Sequence, residues 1–120
     1  MHDKHLLQCL SRLLETAHIA SLPAEEQVRK FAPQLNIPYE IADDVGHWLD
    51  WTLDVSKIRL SEDQCIALSE LRSKLASMSG PENEELWSLE ALRTDRHWEE
   101  VRTLASRVVQ CVDEIMKSDM

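Results

Sequence analysis

Glycine is nearly missing from this chain: only Gly46 and Gly80 occur in 120 residues. A backbone cradle for phosphate needs several glycines close together, so nucleotide-binding loops of that kind are excluded. No GxSxG turn presents a serine, and no HExxH helix presents zinc ligands. Cys9, Cys65 and Cys111 are isolated and odd in number, without a CxxC pair. Neither a zinc knuckle nor a disulfide framework is signalled, and reduced, packed thiols are expected, with a cytoplasmic location. No apolar run approaches the roughly 18 residues of a membrane span. The leucines at 6, 7, 10, 13 and 14 are interrupted by Gln8, Ser11, Arg12 and Glu15, which makes an amphipathic helix and not a signal-peptide core.

Positive charge is also scarce. Thirteen Lys and Arg face 22 Asp and Glu, a formal net charge of −9. Such a surface repels nucleic-acid phosphates and anionic membranes and attracts basic partners. Residues 24–32, the turn 33–38 and the helix from Tyr39 have about the lengths of a helix-turn-helix. Its would-be recognition helix opens with Glu40, Asp43 and Asp44, the wrong sign for reading DNA. No nucleic acid and no membrane is expected as a partner.

What remains is helical. β-Branched alternation is sparse, and apolar residues recur at 3/4 spacing. The first helix spans 3–20, with Asp3 at its start and Leu6, Leu10, Leu13, Leu14 and Ala17 inward. Pro23 opens a short second helix, 23–32, with Val28, Phe31 and Ala32 inward, and Pro33 ends it. Pro38 starts the central helix, 38–58. Ser61 and Gln64 have the capping-box spacing at the start of a fourth helix, whose seam is Ala67, Leu68, Leu71, Leu75 and Met78. Ser79-Gly80-Pro81 ends it and starts a fifth, with Leu86, Leu89 and Leu92 as its stripe. Thr94 or Asp95 caps the last helix, 95–117, which has the cleanest amphipathic pattern. The chain is expected to be all-α, a single domain over 1–120, folded as an irregular bundle of five to six mostly antiparallel helices.

The central helix has two faces. Ile41, Val45, Trp48, Leu49 and Thr52 gather on a buried side. Glu40, Asp43, His47, Asp50, Asp54 and Lys57 form a polar stripe, with Trp51 at the border. Gly46 costs about 1 kcal/mol against Ala inside a helix, and a close helix crossing or a kink would account for it. Between Glu40 and Asp54 lie five carboxylates and no Lys or Arg. A second base-free run carries Glu82, Glu84, Glu85 and Glu90. Each run holds a tryptophan off its apolar stripe, Trp51 and Trp87, whereas Trp48 and Trp98 lie on theirs. If the two faces adjoin, they make an acidic patch with aromatic anchors, suited to a cationic protein surface. If they diverge, each is a solvated helix exterior.

His47 with Asp43 and Asp50 is the one local set resembling metal ligands, but it lacks a fourth. The plainer reading is a histidine that relieves carboxylate repulsion. Cys65 sits beside Glu62 and Asp63, a setting that disfavours the thiolate. No catalytic residue, metal or cofactor is expected, and the chain is read as a non-enzyme.

The phrasing of SEDQCIALSELRSKLASMS and ELWSLEALRTDRHWEEVRTLASRVV, with the acidic helical character of the whole chain, resembles the helical immunity proteins of bacterial toxin systems. These include contact-dependent growth inhibition and other polymorphic toxins. The resemblance covers general character and transfers no individual residue. It implies a protein that binds a cognate toxin domain, often a nuclease with a basic cleft, and blocks it. The expected contact surface is Glu40, Asp43, Asp44, His47, Asp50, Trp51 and Asp54, with Glu82, Glu85 and Trp87 as a second region. The alternative is a scaffold or regulatory domain that binds a partner helix, or forms a homodimer, through an apolar groove.

Overall fold

The computed structural model describes residues 4–56 and 60–118, apart from the side chains of residues 55 and 56. The expected cap at Asp3 and the stripe residue Lys57 lie outside the described residues. Six α-helices and one 3₁₀ helix, and no strand, occur among the described residues. They are α1 (Lys4–Ser21), α2 (Ala24–Arg29), α3 (Ile37–Ser56), α4 (Glu62–Ser77), the 3₁₀ helix Pro81–Trp87, α5 (Leu89–Thr94) and α6 (Arg96–Ser118).

The four long helices close a ring: α1 packs on α3 and α6, and α4 packs on the same two from the other side. One core joins them. Leu10 and Leu13 of α1, Ile41, Val45 and Leu49 of α3, Leu68 and Leu71 of α4, and Trp98, Val101, Ala105, Val108 and Val112 of α6 are all buried in it. Each such aliphatic side chain contributes roughly 1.5–3 kcal/mol by leaving water. The apolar spacings read from the sequence therefore name most of the core. Leu7 and Leu14 flank the α1 stripe half-buried.

The helix ends follow their chemistry. At α4 the Ser61 hydroxyl accepts from the Gln64 backbone N–H at 3.1 Å, and the Ser61 N–H donates to Gln64 Oε1 at 2.8 Å. Asp95 accepts from the His97 N–H at 2.8 Å and so caps α6. The second helix is shorter than expected. It ends at Arg29, and Ala32 is exposed. Its fully buried residue is the polar Gln27, whose side-chain amide donates to the Ile19 and Ala20 carbonyls at 3.0 and 3.1 Å. These carbonyls belong to the last turn of α1, where acceptors lack intrahelical donors.

The expected fifth helix divides in two. Residues 81–87 form a 3₁₀ helix with a kink at Asn83, and the Ser88 hydroxyl caps α5 by accepting from the Ala91 N–H. Leu86 is half-buried and Leu92 buried, while Leu89 stays 38% exposed. The corner before the break is stapled by Asn83, whose amide donates to the Ser77 and Ser79 carbonyls. Gly80 is required there: its φ of 103° is a conformation side chains rarely adopt.

Gly46 also departs from expectation. A Cβ built on it meets nothing within 4 Å, so no helix crosses closely at that point. Nor does α3 break: it runs as one α-helix from Ile37 to Ser56.

Candidate functional site

α3 buries Ile41, Val45, Leu49 and Thr52 and turns its other side to solvent. Of the expected contact residues, Asp43, Asp44, His47, Asp50, Trp51 and Asp54 are exposed and Glu40 is half-buried. At 1.5 Å per residue, the stretch from Glu40 to Asp54 is about 21 Å long. The acids are close enough to be felt by one another. Desolvation, although the residue as a whole is exposed, pushes the Asp44 carboxyl above its ordinary value; the charge of Asp43 adds to this, and His47 opposes it. A raised carboxyl pKa gives stability that is fully present below the unfolded value and is lost as pH rises through the folded one. At neutral pH the ionised Asp44, desolvated first and repelled by Asp43 second, therefore costs the fold some stability.

A groove runs along each side of this ridge. The first, with a volume of about 560 Å³, lies between α3 and the α4–3₁₀ corner. α3 lines it with Tyr39, Ala42, Asp43, Gly46 and Asp50. α4 adds Arg72, Leu75 and Ala76, and the 3₁₀ helix adds Glu84 and Trp87. The two acidic runs thus meet: Asp43 and Asp50 from one, Glu84 and Trp87 from the other. Glu82 and Glu85 are exposed on the same 3₁₀ helix but do not line the groove.

Trp87 is held firmly. Its indole N–H donates to the Met78 carbonyl at 2.8 Å, and its ring meets Trp98 edge-on at 5.4 Å between centroids. The Trp98 N–H in turn donates to the Leu86 carbonyl at 2.6 Å. Trp87 is therefore a half-buried wall of the groove and not a projecting anchor. Trp51, 45% exposed, is the projecting one.

The second groove, of about 680 Å³, lies between α1 and α3. His5, Gln8 and Arg12 face His47, Trp48 and Trp51 across it. The His47 ring stands edge-on to Trp48 at 4.8 Å and tilted to Trp51 at 6.3 Å. The expected contact residues are consequently divided. Asp43, Asp50 and Trp87 belong to the first groove, and His47 and Trp51 to the second.

Two lining residues had little or no local sequence signal. Arg72 lies 22 positions from Asp50, yet its guanidinium comes within 3.6 Å of that carboxylate. Both groups are largely exposed, so the pair adds little stability. Gly46 had a signal in its unexplained helix cost, but the explanation lay in open space and not in a crossing.

Among the described residues no group of three or more His, Cys, Asp and Glu is arranged to hold a metal ion. Desolvation, then Glu114 and then Cys65, push the Cys111 thiol above its ordinary value, which disfavours the nucleophilic thiolate. No described helix is long and apolar enough to cross a membrane. Set against known protein families, curated proteins and solved structures, the chain matches none.

Proposed function

We propose that this protein is an immunity-type inhibitor: it binds a basic partner, a cognate toxin domain, and blocks it with the acidic, tryptophan-bearing surface of α3 and the 3₁₀ helix. The observation that carries this reading is the meeting of two base-free acidic runs on one groove, with Asp43, Asp50 and Glu84 outnumbering Arg72. The exposed carboxylates Asp43, Asp44, Asp50 and Asp54 lie on one helix without a Lys or Arg among them, so a partner of opposite charge suits that face. A basic nuclease cleft is the kind of surface such a patch would occlude.

The test is affinity capture. Wild type and an Asp43→Lys, Asp50→Lys, Asp54→Lys variant are immobilised side by side, and bound proteins are identified by mass spectrometry. The expected result is a basic toxin domain held by wild type and lost by the variant, with circular dichroism and melting temperature close to wild type. Equal retention by both would remove the proposal.

Exposed Trp51 and the apolar floor of the first groove favour a second reading, a scaffold domain that self-associates. Sedimentation separates the two. A dimer that persists at high salt supports the scaffold, because exposed charge pairs are screened by salt.

A further inference from the structure

Gly46 sits within α3, where glycine is a poor helix former. Nothing in the fold requires it: a Cβ there would meet no atom within 4 Å. The open space above it is the first groove. Its missing side chain leaves that groove deeper than alanine or any larger residue would.

The rim identifies what could fill the space. Asp43, Asp50 and Glu84 place three carboxylates around it, against the single guanidinium of Arg72. The wall at Trp87 is an indole, fixed by its hydrogen bond to the Met78 carbonyl. An occupant must therefore bring an apolar stem for the floor and a positive head for the rim. Lysine and arginine both answer that description. Arginine answers it better, because its planar, weakly hydrated guanidinium stacks on indoles and grips carboxylates in pairs. The chain supplies its own precedent: the Arg72 guanidinium already lies 3.6 Å from Asp50 at the groove edge.

We infer that the groove between α3 and the α4–3₁₀ corner receives an arginine side chain from a basic protein partner. Its stem lies over Gly46 beside Trp87, and its guanidinium pairs with the carboxylates that Arg72 leaves uncompensated. This rests on the basic-partner reading above and adds the place and side chain of the contact.

The test uses the full chain, labelled with ¹⁵N, and the probe peptide acetyl-Leu-Arg-Leu-Arg-amide. A control peptide carries citrulline, a neutral isostere, in place of each arginine. The arginine peptide is expected to shift the Gly46 amide, the Trp87 indole N–H and the Ala76 amide, and the citrulline peptide to shift none of them. Gly46→Met fills the groove from α3 without changing any charge, and Ala76→Trp fills it from the exposed face of α4. Each is expected to weaken the peptide at least tenfold, with a circular dichroism spectrum like that of wild type. Glu114→Lys, exposed on α6 and outside the groove, is expected to weaken it no more than about twofold, through long-range attraction alone.

If the arginine peptide binds but is indifferent to both filled variants, the groove assignment fails and the acidic surface keeps its role. If it shifts no groove resonance at millimolar concentration, the groove assignment fails as well. The capture experiment on the triple lysine variant then decides the wider reading independently.

Discussion

Gln27 and Thr52 are both fully buried polar residues, and they predict opposite outcomes. The Gln27 amide donates to two carbonyls at the end of α1, which have no helical donor of their own. Gln27→Leu would leave the Ala20 carbonyl without that donor, while the Ile19 carbonyl keeps the Leu22 N–H at 3.2 Å, and should lower unfolding free energy by about 1–2 kcal/mol in urea titration. Gln27 Oε1 and the Thr52 hydroxyl are both buried without a hydrogen-bond partner, but Thr52 has no second polar group that donates elsewhere. Thr52→Val removes a desolvated hydroxyl at constant shape, so it should leave stability unchanged or raise it by up to about 1 kcal/mol. Thr52 was legible in the sequence because it falls on the α3 stripe. Gln27 was not, since a glutamine among Glu25, Glu26 and Arg29 reads as solvent-facing. Only the tertiary need of α1 for a donor draws it inward.

Among the elements, α6 and α4 were the most legible. Trp98, Val101, Ala105, Val108 and Val112 recur over several turns, and all are fully buried. The capping box at Ser61 is a local device, so its two hydrogen bonds could be read before any packing was known. Ser61→Ala should destabilise by about 1 kcal/mol in thermal melts. Gly46→Ala in α3 should do the reverse and stabilise by about 1 kcal/mol, because the added methyl enters open space. The break between the 3₁₀ helix and α5 was illegible for a definite reason. Leu86, Leu89 and Leu92 keep a helical interval, but the Trp87 and Trp98 hydrogen bonds and the Ser88 cap reward a change of direction. Those bonds join residues 9 and 12 positions apart and leave no periodic trace.

At the scale of the whole molecule, the sequence reveals only half of how charge is distributed. The acidic runs were plain in one dimension; that Asp43, Asp50, Glu84 and Trp87 share one groove follows from α3 packing on α4, which no local signal gives. The helix ring is itself tied by charge between α4 and α6. Lys74 hydrogen-bonds Glu100 and approaches His97 Nδ1 at 2.7 Å. The Lys74 hydrogen bond and charge hold the Glu100 carboxyl below its ordinary value. A depressed carboxyl pKa gives stability that is present above the unfolded value and is lost as pH falls through the folded one. Melting temperatures of wild type and Glu100→Gln should therefore differ at neutral pH and converge in acid. A difference that stays constant across that range would mean the pair adds nothing. Asp44 carries the opposite sign, so Asp44→Asn should not lower the melting temperature at neutral pH. Charge thus joins α4 to α6 through Lys74 and Glu100, while on α3 the Asp44 carboxylate stands against desolvation and the charge of Asp43.

The surface account predicts a rate before it predicts an affinity. Opposite charges steer encounter, and salt screens them over a Debye length of about 10 Å at 0.1 M. The decisive measurement is the association rate constant of wild type with the captured basic partner as ionic strength is raised. The wild-type rate should fall steeply, by about tenfold or more between roughly 0.01 and 0.2 M salt, and the fall should flatten in the Asp43→Lys, Asp50→Lys, Asp54→Lys variant. A wild-type rate indifferent to salt would contradict it.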